Sequence, residues 1–142
     1  MWFIDYLEMY QDHPEGGLPV VGKKLFWSID LETGEESQPN PSRLAFEGSY
    51  SSTLQIRCDG QRVTVEGNPS RWNRSDNLFG HTTVAACVAV YNRILLELGL
   101  PPFSKCTRFD WKQSGEDDRS RLWTDGAVFT RIDWTRNLGV GQ

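Results

Sequence analysis

Two short clusters in this chain combine residue types that act on phosphodiesters. The first is Thr130-Arg131-Ile132-Asp133-Trp134-Thr135-Arg136. Side chains alternate between the faces of an extended strand, so Arg131, Asp133 and Thr135 fall on one side. An acid between a guanidinium and a hydroxyl suits a phosphate site. A carboxylate oxygen is also the ligand that a hard divalent cation, magnesium or manganese, requires. Asp133 is therefore the leading metal-ligand candidate, with Asp5 as a second on a neighbouring strand. The plain alternative for Asp133 is an ion pair with Arg131. The second cluster is Arg71-Trp72 with Arg74, set among turn-forming residues. Arginines reach phosphates and an indole stacks on bases, as in proteins that hold single strands. The alternative for Trp72 is an anchor that packs its loop on the core. Arg131 and Arg136 complete the DNA-contact candidates, whereas Gly67 and Asn68 read as turn formers.

Other chemistries find little support. No complete Gly-x-x-x-x-Gly-Lys-Ser/Thr run occurs, since Lys24 follows Gly17 to Lys23 where the hydroxyl residue is needed, so ATP use is not expected. His13 and His81 are too isolated for a paired-histidine site, and His81 reads as a surface or capping residue. Cys58, Cys87 and Cys106 are odd in number and widely spaced, which suggests neither a disulfide framework nor a zinc site. They read as small buried hydrophobes. Tyr6, Tyr10, Tyr50 and Tyr91 fall in strand or helix patterns where a ring is usually core, so no nucleophile is expected among them.

The elements that must position these clusters follow from periodicity. Phe3 to Tyr10 and Leu25 to Leu31 alternate as strands, with Asp12 to Gly17 as a loop between them. From Leu44 the pattern becomes a meander: Leu44 to Tyr50, Thr53 to Cys58, and Arg62 to Glu66, with a turn at Asp59-Gly60. Leu54, Ile56, Cys58, Val63 and Val65 form a greasy face, leaving Gln55, Arg57, Arg62 and Thr64 opposite. An amphipathic helix runs from Thr82 to Leu98, capped by Thr82 or Thr83 and stopped by Gly99 and Pro101-Pro102. It is placed to cover the greasy face. Lys105 to Lys112 and Leu122-Trp123 lead through Asp125-Gly126 into a last strand, Ala127 to Leu138. The fold class is α+β, a mainly antiparallel sheet with one long amphipathic helix packed on one face.

The chain has 142 residues, 38% of them hydrophobic and six of them tryptophan, which fits one folded domain spanning 1–142. Its net charge of −4 excludes coating nucleic acid by bulk charge, so any DNA contact must be local. The segment from Arg57 to Arg74 supplies that locality, with four arginines against two acids. The N-terminus carries Asp5 where a signal peptide needs basic residues and an apolar core, and no eighteen-residue apolar run exists. A cytoplasmic protein without a membrane partner is expected.

Four motifs follow one another along the chain: Ile4-Asp5; Gly67-Asn68-Pro69-Ser70-Arg71; Asn77-Leu78-Phe79-Gly80; and, after the helix, Arg131-Ile132-Asp133. In order and spacing the set resembles the N-terminal part of the rolling-circle replication initiators of filamentous phages, the gene II/X family. That resemblance implies a nicking-and-joining enzyme that cuts the viral strand of double-stranded phage DNA at the origin with a divalent metal. It also implies phage origin DNA and host replication proteins as partners, in the cytoplasm of a bacterial host. Relatives are much longer, and the attacking tyrosine is expected beyond Gln142. Asp76 stands where relatives often have a histidine. The alternative is a non-catalytic DNA-binding or regulatory short form of the initiator.

Overall fold

The computed structural model describes residues 2–37, 40–48, 53–72, 80–113 and 120–136. Three strands, β4 (Leu44–Glu47), β5 (Thr53–Cys58) and β6 (Arg62–Gly67), form the expected meander. They belong to a five-stranded antiparallel sheet that continues through β1 (Trp2–Asp12) to β9 (Val128–Arg136), in the order β4-β5-β6-β1-β9. The first strand of the sequence is thus interior, with β6 on one side and β9 on the other.

The period-two rule sorts this sheet as the sequence suggests. Leu7, Met9, Leu54, Ile56, Cys58, Val63 and Val65 are all buried on one face. The register pairs Ile56 with Val65 and Cys58 with Val63, which stacks these side chains into rows. Leu54 lies opposite Gly67, where a Cβ would stand 2.5 Å from Leu54 Cδ2. Gly67 also has φ +149°, so both space and backbone favour glycine there.

The covering helix, α1, spans Val84–Glu97. Its fourteen residues make it shorter than the expected span from Thr82 to Leu98, a short helix rather than a long one. The cap sets the start: Thr83 has extended backbone angles, and its hydroxyl accepts from the Ala86 amide. At the other end Gly99 turns left-handed at φ +75°, and the Leu100 amide closes back on the Leu95 carbonyl. Cys87, Tyr91, Ile94 and Leu95 face the sheet. The Tyr91 hydroxyl donates to the Leu7 carbonyl at 2.7 Å, with the Gly67 carbonyl 3.2 Å away, so the buried ring keeps its polar tip satisfied.

Two segments depart from expectation. Leu25 to Leu31 alternates like a strand, but only β2 (Leu25–Phe26) forms, paired with β3 (Asn40–Pro41). Trp27, Ile29 and Leu31 are all exposed, so the alternation has no apolar surface on which to bury one face. Between α1 and β9, a hairpin not anticipated from the sequence forms from β7 (Phe109–Gln113) and β8 (Ser120–Thr124). Cys58 and Cys87 are buried as expected, but Cys106 is half-exposed. Among the described residues no helix is long and apolar enough to cross a membrane.

Candidate nucleic-acid interface

The face of the sheet turned away from α1 carries the polar side chains. It is positioned by β1, whose pairing with β9 shifts register between Ile4 and Tyr6, leaving Asp5 as the extra residue of a bulge. Beyond the bulge, Leu7 and Met9 face the core, whereas Tyr6 and Tyr10 are half-exposed on the opposite side. The register then sets Tyr6 beside Asp133 and Glu8 beside Arg131.

These residues form a connected network. The Tyr6 hydroxyl donates to Glu66 Oε2 at 2.6 Å, and Glu66 is ion-paired with Arg43. Burial, followed by the hydrogen bond and negative charge of Glu66, pushes the Tyr6 phenol up to about 12. The Arg131 guanidinium lies over the Tyr6 ring, 4.3 Å from its centroid, and holds Asp133 through two hydrogen bonds of 3.1 and 2.7 Å. This pairing holds the Asp133 carboxyl below its usual range. Further along the face Arg62 grips Asp12 with bonds of 2.6 and 2.9 Å and lies over the Tyr10 ring. Arg57 shares the surface without an ion pair among the described residues.

The two carboxylates singled out as metal ligands share this face. Asp133 is committed to Arg131, as in the plain alternative. Asp5 accepts a hydrogen bond from Thr135 through Oδ2, while its buried Oδ1 has no hydrogen-bond partner. Among the described residues no group of three or more histidine, cysteine, aspartate or glutamate side chains could hold a metal ion. Magnesium is ordinarily held by one or two carboxylates, with waters and phosphate oxygens completing its shell; here Asp133 is engaged by Arg131 and Asp5 keeps Oδ1 free.

The Arg71-Trp72 cluster sits elsewhere, at the end of β6. Asn68 Oδ1 accepts from the Arg71 amide and shapes the turn, leaving the Arg71 side chain exposed. Trp72 is half-buried and stacks on Phe46, with ring centroids 5.7 Å apart. Both rings pack against the core cluster on the helix side of the sheet, so Trp72 serves as a loop anchor. Arg74 lies outside the described residues, as do Asp76, Asn77, Leu78, Phe79 and Tyr50. Arg136 is exposed at the far end of β9, opposite Trp2.

Three of the four sequence motifs meet at one point. The buried Ser70 hydroxyl donates to the Ile4 carbonyl and accepts from the His81 amide at 2.9 Å. The Ile4 amide donates in turn to the His81 carbonyl. A Cβ on Gly80 would come within 2.5 Å of Ser70 and 2.6 Å of Phe3. Ile4, Ser70 and Gly80 therefore build the junction between β1, the turn after β6 and the approach to α1. The fourth motif lies alongside on β9. His81 takes part through its backbone, and the helix cap is Thr83.

The sequence reading missed Tyr6, Glu66 and Arg43. The expectation that the tyrosines are core holds for Tyr91 and fails for Tyr6 and Tyr10, whose rings stand on the open face against arginines. Strict alternation along Tyr6, Glu8, Tyr10 and Asp12 was the available signal. Arg43 precedes its strand, and no spacing points to it.

The chain is 44% identical over 89 residues to a replication-associated protein of Escherichia phage If1. That stretch is 63% of this chain and 28% of the relative, so the match spans little more than a quarter of the relative's length. The resemblance to the N-terminal part of gene II proteins read from the four motifs is borne out by this identity. No family model matches the chain. No solved structure matches it.

Proposed function

We propose that this chain acts in phage DNA replication by binding origin DNA, as the N-terminal part of a gene II-type initiator. The 44% identity to a phage replication-associated protein carries the reading. Its physical support is selective rather than bulk charge. Arg43, Arg62 and Arg131 are neutralised by carboxylates, whereas Arg57 on the open face and Arg71 on the turn after β6 have no carboxylate partner among the described residues. Phosphate oxygens supply the counter-charge that these two guanidinium groups lack. No metal-dependent step can be derived from Asp5 and Asp133 as they are engaged, so the proposal concerns binding.

The test is an anisotropy titration of labelled origin duplex at several salt concentrations, with wild type and the Arg57→Ala/Arg71→Ala double variant. Each lost phosphate contact removes about 0.9 from the slope of log affinity against log salt. A slope lower by about 2 in the double variant supports the reading. An unchanged slope places the DNA elsewhere, and a wild type without affinity for the duplex overturns the function.

A further inference from the structure

We propose that the β7–β8 hairpin is a second nucleic-acid surface, and that it takes single-stranded DNA. This rests on the DNA-binding reading above and adds to it the form of the ligand. The hairpin displays three aromatic rings: Phe109 is 70% exposed, Trp111 63% and Trp123 38%. Its register sets Trp111 opposite Leu122 and Phe109 opposite Thr124 on one face. Asp110 pairs with Trp123 and Lys112 with Arg121 on the other.

Lys112 and Arg121 are like charges placed directly across the two strands, an arrangement that weakens strand pairing. No carboxylate neutralises either among the described residues, nor does one pair with Arg108 at the start of the hairpin. Lys112 rests its ammonium 5.1 Å from the centre of the Trp123 ring. Asp110, the one described acid within the two strands, accepts a hydrogen bond from the Trp111 amide. On the open sheet face, by contrast, Arg43, Arg62 and Arg131 are each paired with an acid, and Arg57 is left without one among the described residues. The acids Glu116, Asp117 and Asp118 of the connection lie outside the described residues.

Cations without a carboxylate partner among the described residues suit a polyanion, and exposed rings suit flat apolar partners. Bases within a duplex are already stacked on one another, whereas unpaired bases offer a free face to an aromatic side chain. Beside Phe109, Trp111 and Leu122, where the hairpin meets Ala127 and Val128, lies a pocket of about 320 Å³ with room for a base. The root of the hairpin is fixed. Asp125 accepts from the Thr107 and Arg108 amides at 2.8 and 2.9 Å, and a Cβ on Gly126 would stand 2.5 Å from the Cys106 backbone. The rings are therefore held in place, Phe109 and Trp111 beside Ala127 and Val128, and Trp123 near Arg62 and Asp12.

The experiment titrates the 142-residue chain into fluorescein-labelled oligo(dT) of twenty nucleotides and, separately, into origin duplex. Wild type is compared with Lys112→Ala/Arg121→Ala and with Trp111→Ala. The inference expects each variant to lose at least tenfold in oligo(dT) affinity while duplex affinity changes less than twofold. The charge variant should also lower the salt slope by about 1.4, at roughly 0.7 for each phosphate contact on a single strand. Unchanged oligo(dT) binding overturns the inference, as does equal weakening on both DNAs. A wild type that binds duplex but not oligo(dT) overturns it and leaves the proposed function standing. Binding to neither removes both.

Discussion

The Tyr6 hydroxyl and the Glu66 carboxylate meet at 2.6 Å across two adjacent strands, on the face of the sheet opposite the helix. A phenol held beside a carboxylate resists ionisation. In the unfolded chain Tyr6 loses its proton near 10, but in the fold near 12. With the folded value raised, its contribution to stability is complete below pH 10 and disappears as pH rises toward 12. Tyr6→Phe should therefore show a smaller loss of stability between pH 10 and 12 than wild type, measured as urea midpoints. Tyr91, which burial also pushes upward, is common to both proteins. Equal losses would show that the ionisation of Tyr6 does not carry the alkaline loss of stability.

Ser70 and Gly80 lock the turn after β6 onto β1. Ser70→Ala leaves the Ile4 carbonyl and His81 amide without their hydroxyl partner, at a cost of about 1–3 kcal/mol. Gly80→Ala forces a methyl group against Ser70 and Phe3, at a similar ~1–3 kcal/mol. Denaturant unfolding reads both. Wild-type stability in either would mean that the junction relaxes freely.

Trp72 separates packing from base stacking. Its contact with Phe46 and the core cluster predicts that Trp72→Ala destabilises by roughly 1–3 kcal/mol, whereas Trp72→Phe recovers part of the loss. A stable Trp72→Ala protein that binds oligo(dT) less tightly would return the indole to the DNA.

Asp125 governs the order of the hairpin root. Hydrogen bonds from the Thr107 hydroxyl and from the Arg108 and Thr107 amides hold its carboxyl well below the usual range near 3.8. A depressed folded value means that the contribution is present above about pH 3.8 and fades as pH falls below it. Asp125→Ala should speed amide exchange in β7 and β8 at neutral pH while the Leu7 and Ile56 amides stay protected. Wild type should keep its slow hairpin exchange down to about pH 4. Unaltered hairpin exchange in the variant would show that the root is held by Gly126 and by the bond from the Ala127 amide to the Ser104 carbonyl alone.

Periodicity was legible wherever burial enforces it. Thr53 to Cys58 forms as read because Leu54, Ile56 and Cys58 have a helix to face. The same alternation at Leu25 to Leu31 misled, because an amphipathic pattern specifies a strand only where a complementary apolar surface exists. The β7–β8 hairpin escaped notice for the converse reason. Its pairing buries little, and Trp111 opposite Leu122 becomes visible only once the register is known. At the candidate site, Arg131 and Asp133 were placed correctly on one side, since alternation is local. Their engagement with each other and with the Tyr6 ring depends on β1 lying next to β9, a pairing between the two ends of the chain that no local pattern encodes.

The interior position of β1 sets an order on folding. Trp2 pairs with Arg136 and Leu7 with both Gly67 and Ile132, so β1 has both of its edges satisfied only after β9 is made. Until then one backbone edge of β1 is free, and pairings this distant in sequence are slow to close. The nascent protein is thus most vulnerable to aggregation in the interval between synthesis of β6 and of β9, and expression yield should respond to changes on β9 more sharply than its edge position in the finished sheet would suggest.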